Sequence, residues 1–177
     1  MSDMNDVEKR PSAVILGGKD FILVHTLSGY RSMRWDPLGE KILLHGGAED
    51  HLSGEALLRA LNASRFVLAA PRHDVWIHPD VTFDKDLYDL KLNGQYYEAC
   101  IDDVVRQLGY KNKRALFKSI SSCHAERIRE QIVVSPSVQE KLDAWAALPE
   151  DQNVVLSATS TPTEIGAGVR LAISRCS

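Results

Sequence analysis

The sequence is poor in the residue patterns that announce a specific chemistry. It has three cysteines in 177 residues. Cys100, Cys123 and Cys176 leave one over in any pairing scheme, and their spacing fits no zinc motif. That argues against a disulfide scaffold and for reduced thiols in a cytosolic protein. No stretch reaches the ~18 apolar residues that a membrane-spanning helix needs. The first twelve residues, MSDMNDVEKRPS, contain no apolar core of the kind a secretory signal carries. A cytoplasmic protein without a membrane anchor is expected. Excess positive charge is missing too: 21 Lys and Arg stand against 24 Asp and Glu, a net charge of -3. This speaks against general nucleic-acid binding by phosphate neutralisation.

What is present is an ordinary globular composition, 44% hydrophobic and 25% charged. The length suits one domain with a sizeable core. Residues 1–11 are polar and read as a flexible N-terminal arm, leaving 12–177 as the domain. Ala13 to Leu16 and Phe21 to His25 are apolar runs broken by Gly17-Gly18, a hairpin pattern. Tyr30 to Trp35 alternates and predicts a third strand. Asp36-Pro37 and Gly39 make a turn, and Lys41 to Leu44 returns. A helix is expected from Ser53, a fair N-cap, to Ser64, with Leu57, Leu58 and Leu61 as its stripe. Phe66 to Ala70 reads as a short strand.

Residues 71–95 are irregular and read as a long exposed loop with one short strand at Val75 to Ile77. Loops of this length are usually functional or disordered. Tyr96 to Leu108 predicts a helix, with Gly109 as its C′ residue. Lys113 to Ile120 predicts a shorter one. Ile132 to Val134 suits a buried strand. Ser135-Pro136 then reads as a cap and first turn, with Val138, Leu142 and Trp145 on the inner helix face. Val154 to Leu156 is another strand, and Thr161-Pro162 opens a last helix lined by Ile165, Val169, Ala172 and Ile173. The strand, loop, helix unit beginning at Ile42 recurs at Val154, at an offset of 112 (154 − 42). The fold class is α/β (α+β-like): one domain, a central mostly antiparallel or mixed sheet with helices packed on it.

Candidate chemistry is thin. His73 and His78, with Asp74 and Asp80, are the best metal ligands on offer, and a small metal-dependent hydrolase is the alternative function. Their spacing matches no motif, and a polar loop is the simpler account. Cys123 and His124 are neighbours on a strand and point to opposite faces, so they do not form a nucleophile–base pair. Cys123 reads as a core thiol and His124 as an exposed strand residue. Gly17-Gly18-Lys19 lacks the rest of a phosphate loop. A third reading, a transcriptional or RNA-binding accessory protein, would need a basic face from Lys111, Lys113, Arg114, Lys118, Arg127 and Arg129. No catalytic set emerges, and no metal or cofactor is expected.

Several blocks carry a family resemblance. LFKSISSC at Leu116–Cys123, IVVSP at Ile132–Pro136, EKLDAW at Glu140–Trp145 and EIGAGVRLAISRC at Glu164–Cys176 occur in this order. With SGEALLRALNASRF at Ser53–Phe66 they span about half the chain. They resemble the immunity proteins of contact-dependent growth inhibition, the group called CdiI. The blocks are core and turn chemistry, without an active-site signature.

The resemblance implies a cytoplasmic antidote, not an enzyme. Such a protein binds the C-terminal toxin domain of its cognate CdiA effector and keeps it from substrate. A nuclease toxin, a ribonuclease or tRNase, is the expected partner, with no membrane and no direct nucleic-acid contact. A nuclease carries a basic groove for phosphates, which antidote carboxylates can fill. Negative charge is densest between 84 and 103. The expected toxin-binding residues are therefore Asp84, Asp86, Asp89, Glu98 and Asp102, with Tyr88 and Tyr97 as aromatic anchors.

Overall fold

The computed structural model describes residues 8–71 and 78–177. Its centre is a hairpin. β1 (Ser12–Gly18) and β2 (Phe21–Tyr30) run antiparallel, joined across Lys19 and Asp20. β3 (Ser32–Trp35) and β4 (Lys41–His45) both pair with β2, β4 beside its first half and β3 beside its second. α1 (Asp50–Asn62) follows, three residues earlier than Ser53. Glu49 holds the N-cap position, and Ser53 is buried inside the helix. β5 (Val67–Leu68) and β6 (Thr82–Phe83) form a small parallel ladder of their own. The residues predicted as a strand at Val75 to Ile77 lie outside the described residues.

α2 (Leu90–Leu108) starts six residues before the predicted Tyr96, because Asp89 caps it by accepting from the Leu92 N–H. It ends at Gly109, whose φ of 71° is the left-handed cap expected there. α3 (Lys113–Phe117) is a short turn of helix capped by Asn112. β7 (Ile120–Ile128) and β8 (Gln131–Lys141) then form a long antiparallel pair. β9 (Ala144–Ala147) folds back on β8. β10 (Val154–Ser157) is an edge strand, with Val155 54% exposed. α4 (Pro162–Arg175) closes the chain, opened by a capping box between Thr161 and Glu164.

The main sheet has eight strands in the order β10-β8-β7-β1-β2-β3, with β4 beside β3 on β2 and β9 beside β10 on β8. Both faces of its middle are covered, which is why β1 and β2 read as near-continuous apolar runs. On one face Ala13, Ile15, Ile22 and Val24 pack under α1 and α4, against Leu57, Leu61, Ile165 and Val169. On the other, Leu16, Phe21 and Leu23 pack under α2 and α3, against Ile101, Val104 and Leu116. The repeated unit appears as β4–α1 at one end of the sheet and β10–α4 at the other.

The helix predicted after Ser135-Pro136 does not form. That stretch is the second half of β8 and all of β9. Ile132, Val134 and Pro136 are all buried, so a period of two runs straight through the proline. Pro136 is tolerated because β8 changes partner there: β10 pairs with Gln131 to Val134, and β9 with Ser137 onward. The missing N–H falls in the gap between them. Trp145 consequently faces Phe117 from a strand, with ring centres 5.9 Å apart.

Candidate functional site

One of the expected contact residues, Asp84, joins a buried ion pair between Asp36 and Arg65. Asp36, fully buried after β3, accepts from the Ser28 hydroxyl at 2.6 Å and the Leu38 N–H at 2.9 Å. Arg65 grips it with two nitrogens, Nε at 2.7 Å and Nη2 at 2.9 Å. Burial penalises the Asp36 charge. The Arg65 fork, the Ser28 hydroxyl and the Leu38 N–H outweigh that and hold the carboxyl below the usual range. The same fork raises Arg65.

Arg65 Nη2 also reaches Asp84 at 3.0 Å. The other Asp84 oxygen accepts from the Asp86 and Leu87 N–H groups, turning the chain toward α2. The Tyr88 hydroxyl accepts from the Tyr30 N–H at 2.9 Å and donates to the Val67 carbonyl at 2.6 Å. Burial pushes its ionisation up. Asn93 ties the first turn of α2 to the Trp35 carbonyl at 2.9 Å. Asp84, Tyr88 and Asp89 thus have work inside the fold: a clamp, a tether and a helix cap.

The clamped segment leaves a groove of about 340 Å³ lined by Pro37, Leu38, Asp86, Leu87 and Leu92. Leu38 beside it is 74% exposed and Leu90 77%. The exposed Asp86 carboxylate stands at its rim, with no ion pair to another described residue. Further along α2, Glu98 and Asp102 lie one turn apart and both pair with Lys113, Asp102 at 3.3 Å. Tyr97 is half-buried, edge-on to Trp35 at 5.0 Å, its hydroxyl pushed up to about 12 by burial and by Asp143. The expected residues therefore form two groups. Asp84, Asp86, Asp89 and Tyr88 lie at the start of α2. Asp102 lies thirteen residues beyond Asp89, about 20 Å at helical rise.

A second concavity, about 500 Å³, opens at the Ser12–Glu126 end of the β1–β7 pair between Glu8, Arg10, Tyr30, Arg31, His124 and Glu126. Arg31 has a φ of 61° and sits over the Tyr30 ring at 5.1 Å. His124 is half-buried there, and burial lowers its basicity. Four separate segments build this cleft, so no local pattern revealed it. Of the candidate metal ligands, His73 and Asp74 lie outside the described residues. His78 accepts from the Asp80 N–H at 3.1 Å and stacks edge-on to Phe66 at 5.3 Å. No group of three or more His, Cys, Asp or Glu is placed to hold a metal among the described residues. No described helix is long and apolar enough to cross a membrane.

Residues 11–176 match the family model described as CDI immunity protein, CdiI. The chain belongs to the CdiI family. It is 48% identical over 175 residues to the immunity protein CdiI-YPIII of Yersinia pseudotuberculosis serotype O:3 (strain YPIII), covering 98% of this chain and 99% of that one. It is also similar to a chain of a solved CdiA-CT/CdiI toxin and immunity complex from Yersinia pseudotuberculosis. There the TM-score is 0.92 at 47% identity, over 97% of this chain and 100% of the other. A protein of unknown function from Neisseria meningitidis shares the fold at TM-score 0.82 and 31% identity, over 97% and 98%. The CdiI likeness runs through the whole fold, including the hairpin and the 78–89 segment outside the blocks that first carried the resemblance.

Proposed function

We propose that this CdiI protein binds the C-terminal toxin domain of its cognate CdiA effector in the cytoplasm and neutralises it by occlusion, without chemistry of its own. The observation that carries this reading is the near-complete likeness to the immunity chain of a CdiA-CT/CdiI complex. The toxin is a nuclease in this reading, an RNase or tRNase with a basic groove. Its docking surface is the acidic side of the molecule at the start of α2. Exposed Asp86 steers the encounter there, and the apolar groove beside Leu38 and Leu92 takes a side chain of the toxin. Glu98 and Asp102 extend the acidic surface along α2, and Tyr97 supports it from below.

The test is co-expression with the cognate toxin domain, followed by affinity capture and titration of the purified partners. A stable one-to-one complex, with restored growth of toxin-expressing cells, is expected. No complex and no protection would overturn the reading. Nuclease assays on tRNA, other RNA and DNA, with and without the immunity protein, decide the toxin class.

A further inference from the structure

Two thiols far apart in sequence meet in the fold. Cys123 lies on β7, buried in the core beneath α1 and α4. Cys176 is the C-cap residue of α4. Their sulfurs are 3.5 Å apart, across 53 positions of sequence. We propose that Cys123 and Cys176 form a redox-modification site, a dithiol that a small disulfide such as oxidised glutathione converts to an intramolecular disulfide.

The backbone on either side of Cys176 is held in place. Its own N–H donates to the Ile173 carbonyl at 3.2 Å. The Ser177 N–H donates to the Ser137 carbonyl at 3.2 Å, and the Gln139 N–H to the Ser177 carbonyl at 2.9 Å. The C-terminal residue therefore lies along β8, and the Cys176 side chain is directed at β7. Sulfur atoms in contact must approach by about 1.5 Å to reach the bonded distance of ~2.05 Å. Rotation about the Cα–Cβ bond of Cys176, at a helix end, supplies motion of that size. Cys100 cannot compete: it lies on α2, on the other side of the sheet.

The two thiols have different roles. Cys176 is half-buried and meets solvent, whereas Cys123 is 1% exposed. Either sulfur can donate in this contact; the contact with Cys123, ahead of burial and together with the Ser137 backbone and the Ser121 hydroxyl, holds the Cys176 thiol down at about 6. The same contact, with burial, pushes Cys123 up. The Cys176 thiolate attacks one sulfur of oxidised glutathione, forming a mixed disulfide and expelling one glutathione thiolate. Cys123 then gives its proton to that leaving thiolate and attacks the Cys176 sulfur, expelling the second. Two protein thiols are oxidised by two electrons, and one oxidised glutathione becomes two reduced molecules. The buried thiol needs no access to solvent, because its reaction partner is already beside it.

The bond would close a loop that contains β8, β9, β10 and α4, and so restrain the unfolded chain. The experiment treats the full-length native protein with oxidised glutathione, without reductant. Expected are a fall in free thiols from three to one, a mass loss of two hydrogens, a Cys123–Cys176 linked peptide, and a melting temperature raised by about 5–10 °C. Reductant should reverse all four. Cys100→Ala should behave alike, with free thiols falling from two to none. Cys176→Ser should melt like reduced wild type and form no internal bond. Three thiols that persist, or a stable single glutathione adduct that Cys123 never resolves, would overturn the proposal. Linkage between molecules instead of within one would do the same.

Discussion

Gly54 of α1 and Gly166 of α4 each occupy the point where the other helix's backbone passes closest. A Cβ built on Gly54 would stand 1.7 Å from the Pro162 carbonyl oxygen. One built on Gly166 would stand 1.8 Å from the Asp50 carbonyl oxygen. Asp50 lies four residues before Gly54, and Pro162 four before Gly166, so the relation is reciprocal. The helices cross about an approximate two-fold axis. The two glycines are the matched positions of the repeated unit, at the offset of 112 (166 − 54).

Any side chain at this crossing must push the helices apart and open the core beneath them. Gly54→Ala and Gly166→Ala should each cost more than about 3 kcal/mol, beyond the usual overpacking loss. The double variant should lose less than the sum, because the first displacement makes room for the second. Gly94→Ala is the contrast. Nothing lies within 4 Å of its built Cβ, and it sits inside α2. It should gain about 0.5–1 kcal/mol. Urea titrations of the four proteins check all of this.

Asp36 and Arg65 should dominate stability at acid pH. Arg65→Ala strands a fully buried carboxylate, and a loss near 3 kcal/mol is expected. That is the low end for a broken buried pair, since Arg65 is itself 26% exposed. The depressed Asp36 ionisation sets the sign. Its contribution is full above the unfolded carboxylate value of ~3.9 and is lost as pH falls through the lower folded value. Asp36→Asn should lack this acid component, and unfolding curves between pH 2 and pH 6 (about that range) would display the difference.

His25 should add a second, milder dependence. It is buried, with Nδ1 2.7 Å from the Thr26 carbonyl and Nε2 2.7 Å from the Tyr96 hydroxyl. A carbonyl can only accept, so Nδ1 carries the proton and Nε2 accepts from Tyr96. Burial lowers its basicity, against the Thr26 hydrogen bond. Its stabilisation is therefore full above the unfolded value of ~6.5 and declines as pH falls toward the folded value. His25→Gln should flatten the melting temperature between those limits. His124→Gln, measured separately, removes the second lowered histidine.

The proposed docking surface can be probed without touching the clamp. Asp86→Lys should slow association with the cognate toxin domain about tenfold at low salt and weaken its salt dependence. Leu38→Asp should mainly speed dissociation. Neither should move the melting temperature by more than about 1 °C, both side chains being exposed. Stopped-flow association and surface-resonance dissociation rates separate the two effects. Unchanged rates in both would send the interface to the cleft beside His124 and Glu126.

Local chemistry was legible where local rules were sufficient. The first four strands, the Gly109 cap and the start of α4 were all read from short patterns. Thr161-Pro162 and Ser135-Pro136 look alike, but only the first is followed at the right distance by a glutamate, Glu164. Val138 occupies that place after Ser135, so no capping box forms and sheet pairing prevails. Asp89 reads in the sequence as one of a run of carboxylates, and the structure makes it the cap of a helix that starts six residues before the expected Tyr96. Asp84 and Tyr88 looked free because Arg65, Tyr30 and Val67 are distant in sequence. Leu38 could not be joined to Leu92, nor Cys123 to Cys176, by any spacing rule, because tertiary folding alone makes them neighbours.

The central position of β1 has a consequence during synthesis. Its first partner, β2, emerges within a few residues, so the hairpin can form early. Its second partner, β7, pairs Ser12 with Glu126 and Gly18 with Ile120. Until that segment leaves the ribosome, β1 exposes an open, apolar edge. α1 meanwhile lacks the helix that it crosses. Contacts this distant make folding slow and leave unfinished chains prone to association. Protection of a cell would then lag translation of this antidote by the time needed to complete the C-terminal third, and nascent chains ending before β7 should recruit holding chaperones.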